Sequence, residues 1–131
     1  KQARAKKNRS PYEEAMYLYG KGKYAQARPI LEDLFKAGKI KGKRRGRINH
    51  NLGMVAYIQK RNDDAVTYFS TLYTKMPKSA YNANGLVYLA RTFKRQGQKE
   101  QAIVTLEEMI KSYPKSRHIP TAKKLLKRYK K

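Results

Sequence analysis

Nine carboxylates, two imidazoles and no thiol are the side chains of this 131-residue chain that could carry acid–base, metal or nucleophilic chemistry. Eight of the nine acids stand as neighbours, in the pairs Glu13–Glu14, Glu32–Asp33, Asp63–Asp64 and Glu107–Glu108. Adjacent residues project from different sides of a helix, so none of these pairs can work as acid and base on one substrate. Asp63 and Asp64 suit a first helical turn, where the helix dipole favours negative charge. His50 and His118 fall in different parts of the chain, and neither has a carboxylate near it in sequence. No metal-ligand spacing and no glycine-rich phosphate loop occurs, and the absence of cysteine removes disulfides and thiolate ligands. The chain reads as a non-enzyme with no cofactor and no metal.

The chemistry that remains is cationic. Lys and Arg number 32 against nine acids, a formal charge of +23. It divides as +11 over residues 1–47, +5 over 48–96 and +7 over 97–131. Such a field attracts polyanions and acidic proteins and resists self-association. Lys41, Lys43, Arg44, Arg45 and Arg47 place five cations in seven residues. They are a candidate polyanion contact, on nucleic acid or an anionic envelope polymer, or else a solvated linker.

The elements that must position these residues follow from a repeat. Ala27, Ala65 and Ala102 stand 38 and 37 residues apart, and each opens an apolar stripe at helical spacing. The stripes are Ala27, Leu31, Leu34, Phe35; then Ala65, Tyr68, Phe69, Leu72, Tyr73, Met76; then Ala102, Leu106, Met109, Ile110, Tyr113. Residues at i, i+3, i+4 and i+7 share one face of a helix. A period of this size marks a helical solenoid, whose units bury their core against their neighbours. The expected fold is all-α: an α-solenoid of three helical hairpins plus a C-terminal capping helix.

In detail, residues 1–10 read as a basic N-terminal arm and 11–131 as one domain. Its units run over about 11–44, 45–78 and 79–116, with the cap over 117–131. Ser10-Pro11-Tyr12-Glu13 forms a helix start with a capping box. Three glycines and six basic residues between Ala37 and Arg47 predict a loop that frays into a helix from about Arg45 to Lys60. Asn62 is the expected cap of the following helix. The third hairpin is expected over Ser79–Gln96 and Gln98–Tyr113, and a last helix over Thr121–Tyr129. No apolar stretch is long enough to span a membrane. No signal peptide shows, and a chain opening at Lys1 rather than Met reads as a processed or excised piece.

These residues resemble the tetratricopeptide repeat. The second unit has Leu52-Gly53, Ala56, Ala65, Phe69, Leu72 and Pro77; the third has Leu89-Ala90, Phe93, Gly97, Ala102, Leu106, Met109 and Pro114. The first unit matches with Ala15, Gly22, Tyr24, Ala27 and Leu31, but Lys39 stands where the closing proline belongs. The junctions Met76-Pro77-Lys78-Ser79 and Tyr113-Pro114-Lys115-Ser116 are similar to those of periplasmic and outer-membrane-associated scaffolds of the Tol–Pal coordinator type. That narrower resemblance implies a bacterial periplasmic or envelope location, with a cytoplasmic one as the alternative.

The family resemblance implies a groove lined by the first helix of each hairpin. By register it would present Tyr12, Met16 and Tyr19; then Arg47, His50, Asn51, Met54 and Tyr57; then Asn84, Val87, Arg91, Lys94 and Arg95. Aromatic side chains give contact area at low entropy cost, and Arg takes carboxylates by paired hydrogen bonds. The variant of the family that clamps a chaperone tail does not fit. Its cationic and amide positions fall here on Tyr12, Met16, Asn51, Asn84 and Tyr88, of which only Asn51 agrees. The resemblance thus implies a non-catalytic interaction scaffold with a protein or peptide partner, acidic in character. The alternatives are polyanion binding through the basic exterior and a structural segment of a longer repeat protein.

Overall fold

The computed structural model describes residues 8–131, so the first seven positions of the expected basic arm lie outside the described residues. The described residues form seven helices and no strand. These are α1 (Pro11–Gly20), α2 (Tyr24–Ala37), α3 (Gly42–Ile58), α4 (Asn62–Lys75), α5 (Asn82–Arg95), α6 (Lys99–Ser112) and α7 (Ile119–Tyr129). Helices pair as α1–α2, α3–α4 and α5–α6, and α7 packs on α6. This is an all-α solenoid.

The start of α1 is the expected capping box: Glu13 N donates to Ser10 Oγ at 3.1 Å and Ser10 N to Glu13 Oε1 at 2.9 Å. Just before it, Arg9 pairs with Glu14 at 2.9 Å and lies 3.6 Å from the centre of the Tyr17 ring. Inside each hairpin the turn uses one left-handed residue at the same repeat position. These are Gly22, Lys60 and Gly97, with φ of 76°, 61° and 78°.

The basic segment expected as a loop over Ala37–Arg47 is a loop only from Gly38 to Lys41, and α3 begins at Gly42 rather than near Arg45. The glycines there do different jobs. Gly38 closes α2 in the left-handed conformation, whereas Gly46 is helical and permits a close approach. A Cβ on Gly46 would lie 2.7 Å from Ser79 Oγ. Asn62 is likewise not a cap: Arg61 holds that position without a side-chain capping bond, and Asn62 Oδ1 accepts from Arg95 Nη1 at 3.2 Å. Helix α5 starts at Asn82 because the chain first turns: Ser79 Oγ accepts from Tyr81 N at 3.2 Å. Ser116 Oγ repeats the bond to His118 N at 3.0 Å, and Tyr113 Oη donates to Pro77 O at 2.6 Å. The Pro-Lys-Ser junctions make the turns that follow the second and third hairpins.

Small residues set the spacing between helices. Ala15, Ala27, Ala56, Ala65, Ala90 and Ala102 are wholly buried, and Gly53 of α3 faces the Phe69 ring of α4. On one side of the stack α3 packs directly on α5, and Asn51 of α3 reaches Met16 of α1. On the other side successive helices meet through long side chains. The Phe35 and Tyr68 rings lie 5.4 Å apart between α2 and α4, and Tyr73 Oη donates to Glu108 at 2.5 Å between α4 and α6. Helices α1, α3 and α5 thus form one layer of the stack, which we call its inner face, and α2, α4 and α6 form the other.

Candidate functional site

A hydrogen-bonded chain of neutral side chains crosses the inner face from α1 to α5. Asn51 Nδ2 donates to Met16 Sδ at 3.3 Å, Asn51 Oδ1 lies 2.9 Å from His50 Nδ1, and His50 Nε2 lies 2.9 Å from Asn84 Nδ2. One assignment satisfies every contact: His50 is neutral, donates from Nδ1 and accepts at Nε2 from the Asn84 amide. Its surroundings agree. Burial holds the His50 pKa below the usual imidazole value, the Asn51 bond opposes that shift, and the charges of His118 and Arg47 reinforce it. The ring also packs against Tyr81 and Phe69.

Beside this chain lies a band of tyrosines with cations on their faces. Tyr57 and Tyr88 meet edge to face with centres 5.0 Å apart. Arg91 stands over Tyr88 at 5.3 Å, Arg95 over Tyr57 at 3.8 Å, and Lys94 over Tyr129 at 5.6 Å. A guanidinium stacked on a ring keeps its N–H edge free for a carboxylate. Tyr19 meets Tyr24 at 5.5 Å, and burial pushes its phenol up to about 12, so it stays a neutral hydroxyl.

The expected groove residues divide by burial. Met16, Tyr19, Met54, Tyr57, Asn84 and Arg91 are half-buried, and Arg47, Lys94 and Arg95 are exposed. His50 and Asn51 form the buried floor, Tyr12 is buried beneath Arg44 at 4.7 Å, and Val87 is a core residue at 2% exposure. Arg95 is committed within the protein: besides Asn62 it donates to Tyr57 O at 2.8 Å, tying α5 to the α3–α4 turn. Reading by register left out Tyr88 and Tyr129. Tyr19, Tyr57, Lys94 and Tyr129 stand 38, 37 and 35 residues apart. A 37-residue step from Lys94 reaches Lys131, so the repeat alone does not point to Tyr129.

The five cations proposed for polyanions are fanned apart by the helix that contains four of them. Lys41 precedes α3, Lys43 is exposed, and Arg44 lies on Tyr12. Arg45 turns the other way, with Nη1 donating to Phe35 O at 2.9 Å and the guanidinium 4.5 Å from the Phe35 ring. Arg47 lies three residues before His50 on α3, and its charge acts on His50 and Tyr19. Among the described residues no group of three or more His, Asp and Glu side chains could hold a metal ion. No helix among them is long and apolar enough to cross a membrane.

Charge is divided unevenly between the helices, and α1 carries Glu13 and Glu14 and no cation. Helices α3, α5 and α7 carry four, three and four basic residues and no acidic one. Helices α2, α4 and α6 carry five basic and seven acidic residues in all. The four ion pairs among the described residues are Arg9–Glu14, Arg28–Glu32, Arg61–Asp64 and Lys130–Glu107. None of them engages a cation of α3, α5 or α7.

Stacked helical hairpins with small residues at their crossings define an α-solenoid. Family models described as tetratricopeptide repeat match residues 12–83 and 85–116. The first covers more than half of the chain, and the chain belongs to the tetratricopeptide repeat family. Such repeats mediate protein–protein interaction. A comparison with curated proteins finds no match.

Proposed function

We propose that this chain is a non-catalytic scaffold whose inner face holds an acidic segment of a protein partner. The division of charge carries the reading. Arg47, Arg91 and Lys94 lie on helices without a carboxylate, the two acids of α1 are held by Ser10 and Arg9, and the outer helices carry a net negative charge. Tyr19, Tyr57 and Tyr88 supply apolar contact beside Arg47, Arg91 and Lys94. Polyanion binding through the outer face has less support, because its helices hold seven of the nine acids.

A labelled Glu-rich decapeptide tests this at ~150 mM salt, where surface charges more than about 8 Å apart are largely screened. Arg47→Gln with Lys94→Gln removes two charges from the inner face, and Lys123→Gln with Lys127→Gln removes two from α7. Affinity is expected to fall by about tenfold for the first pair, given the strength of hydrogen bonds to charged groups. It should barely move for the second. Equal losses for the two pairs would count against the groove.

A further inference from the structure

Arg91 stands where the fold itself has no use for an arginine. Counting back one repeat reaches Met54, and two repeats reaches Met16, 37 and then 38 residues away. Both methionines pack against the core. An unbranched apolar side chain therefore fills this place twice in the same stack. At the third occurrence Arg91 Nε is buried and has no hydrogen-bond partner. Its guanidinium lies 5.3 Å from the centre of the Tyr88 ring, and its charge acts on the buried phenol of Tyr129. None of the ion pairs among the described residues includes it.

A buried donor without a partner carries the full desolvation penalty of its group. Removing it by an apolar residue of matching shape relieves that penalty. Arg91 is therefore expected to stabilise the free protein less than an apolar side chain in its place would. Tyr88 is a steady platform for the cation, but a ring face offers no acceptor in the guanidinium plane. A planar acceptor that can take two N–H groups at once is a carboxylate.

Resting on the acidic-segment reading above, we infer that Arg91 is the carboxylate anchor of the groove, kept at the expense of stability and satisfied by a Glu or Asp side chain of the partner. Arg95 has a different role despite its proximity, because its donors are already committed to Tyr57 O and Asn62.

The test compares Arg91→Met with Lys94→Gln in the full chain, by thermal unfolding and by titration with the Glu-rich decapeptide and its Gln counterpart. Each variant removes one positive charge from α5. Arg91→Met is expected to unfold at a higher temperature than the parent, by about 2–5 °C. It should also lose about tenfold in affinity for the Glu peptide, more than Lys94→Gln does. A midpoint equal to or below the parent's, or a variant that does not fold, overturns the inference. So does an affinity loss no greater than that of Lys94→Gln. If the parent binds the Glu peptide no better than the Gln peptide, the acidic-segment reading itself falls. If the parent prefers Glu and Arg91→Met keeps that preference, only the role of Arg91 falls.

Discussion

Gly53 of α3 and Phe69 of α4 are fitted to each other. A Cβ on Gly53 would lie 2.5 Å from Phe69 Cε1 and 2.7 Å from Cδ1, and the ring itself is 1% exposed. The same crossing in the other hairpins joins Ala15 to Leu31 and Ala90 to Leu106 by register, all four wholly buried. The second hairpin thus trades a smaller residue on one helix for a larger one on the other. Gly53→Ala alone should cost about 1–3 kcal/mol through overpacking. Phe69→Leu alone should cost about 1–2 kcal/mol through the space it leaves. The double variant should recover a large part of both, giving a favourable coupling of about 1–2 kcal/mol in a denaturation cycle. Additive losses would show that the two residues are not matched.

Lys60 holds φ at 61°, at the turn where the first and third hairpins use Gly22 and Gly97. A side chain in the left-handed region costs roughly 1–2 kcal/mol, partly offset by the greater freedom of glycine in the unfolded chain. Lys60→Gly should therefore stabilise the protein by about 0.5–1 kcal/mol, read as a shift of the urea midpoint at unchanged slope. A lower midpoint would mean that the Lys60 side chain contributes more than its backbone conformation costs.

Asn49 is wholly buried on α3, and neither its Oδ1 nor its Nδ2 has a partner among the described residues. One repeat later the same position is Leu86, a core residue. Asn49→Leu should raise stability by about 1–3 kcal/mol, since an unpaired buried amide gives way to an apolar side chain that needs no hydrogen bond. Calorimetry of parent and variant decides it, and a loss of stability would point to a polar partner for the amide.

The alanine and glycine positions made the solenoid legible in the sequence, because close helix packing admits only small residues and they recur at one period. The segment around Gly38, Gly42 and Gly46 was harder. Glycine serves chain reversal and close approach alike, and only the seat of Ser79 on Gly46 tells them apart. Arg95 shows the limit for the site. Its type and register match a groove cation, yet its donors are bound to Tyr57 O and Asn62, residues 38 and 33 positions away. Sequence spacing identifies the face of a helix, not the hydrogen bonds its side chains have already made.

His50 and His118 both have pKa values held below the usual 6.5, in each case chiefly by burial. The unfolded chain therefore binds protons that the folded chain refuses. Stability is present in full above pH 6.5 and is lost as pH falls from there through the lowered values. In a His118→Gln variant the decline that remains between pH 7 and about pH 5.5 is expected chiefly from His50, with a slope of at most about 1.4 kcal/mol per pH unit. NMR should find His50 titrating below 6.5, with the proton of its neutral form on Nδ1. A His50 that titrates at or above 6.5, with no decline in stability, would contradict the neutral network.

The inner face as the binding surface is tested most directly by amide and side-chain shift mapping of the labelled chain during titration with the Glu-rich decapeptide. Saturable shifts are expected at Arg47, Tyr57, Asn84, Tyr88, Arg91 and Lys94, with α2, α4 and α6 unmoved. Shifts concentrated on the outer helices, or spread without saturation over the lysines of α7 and the C-terminus, would contradict it.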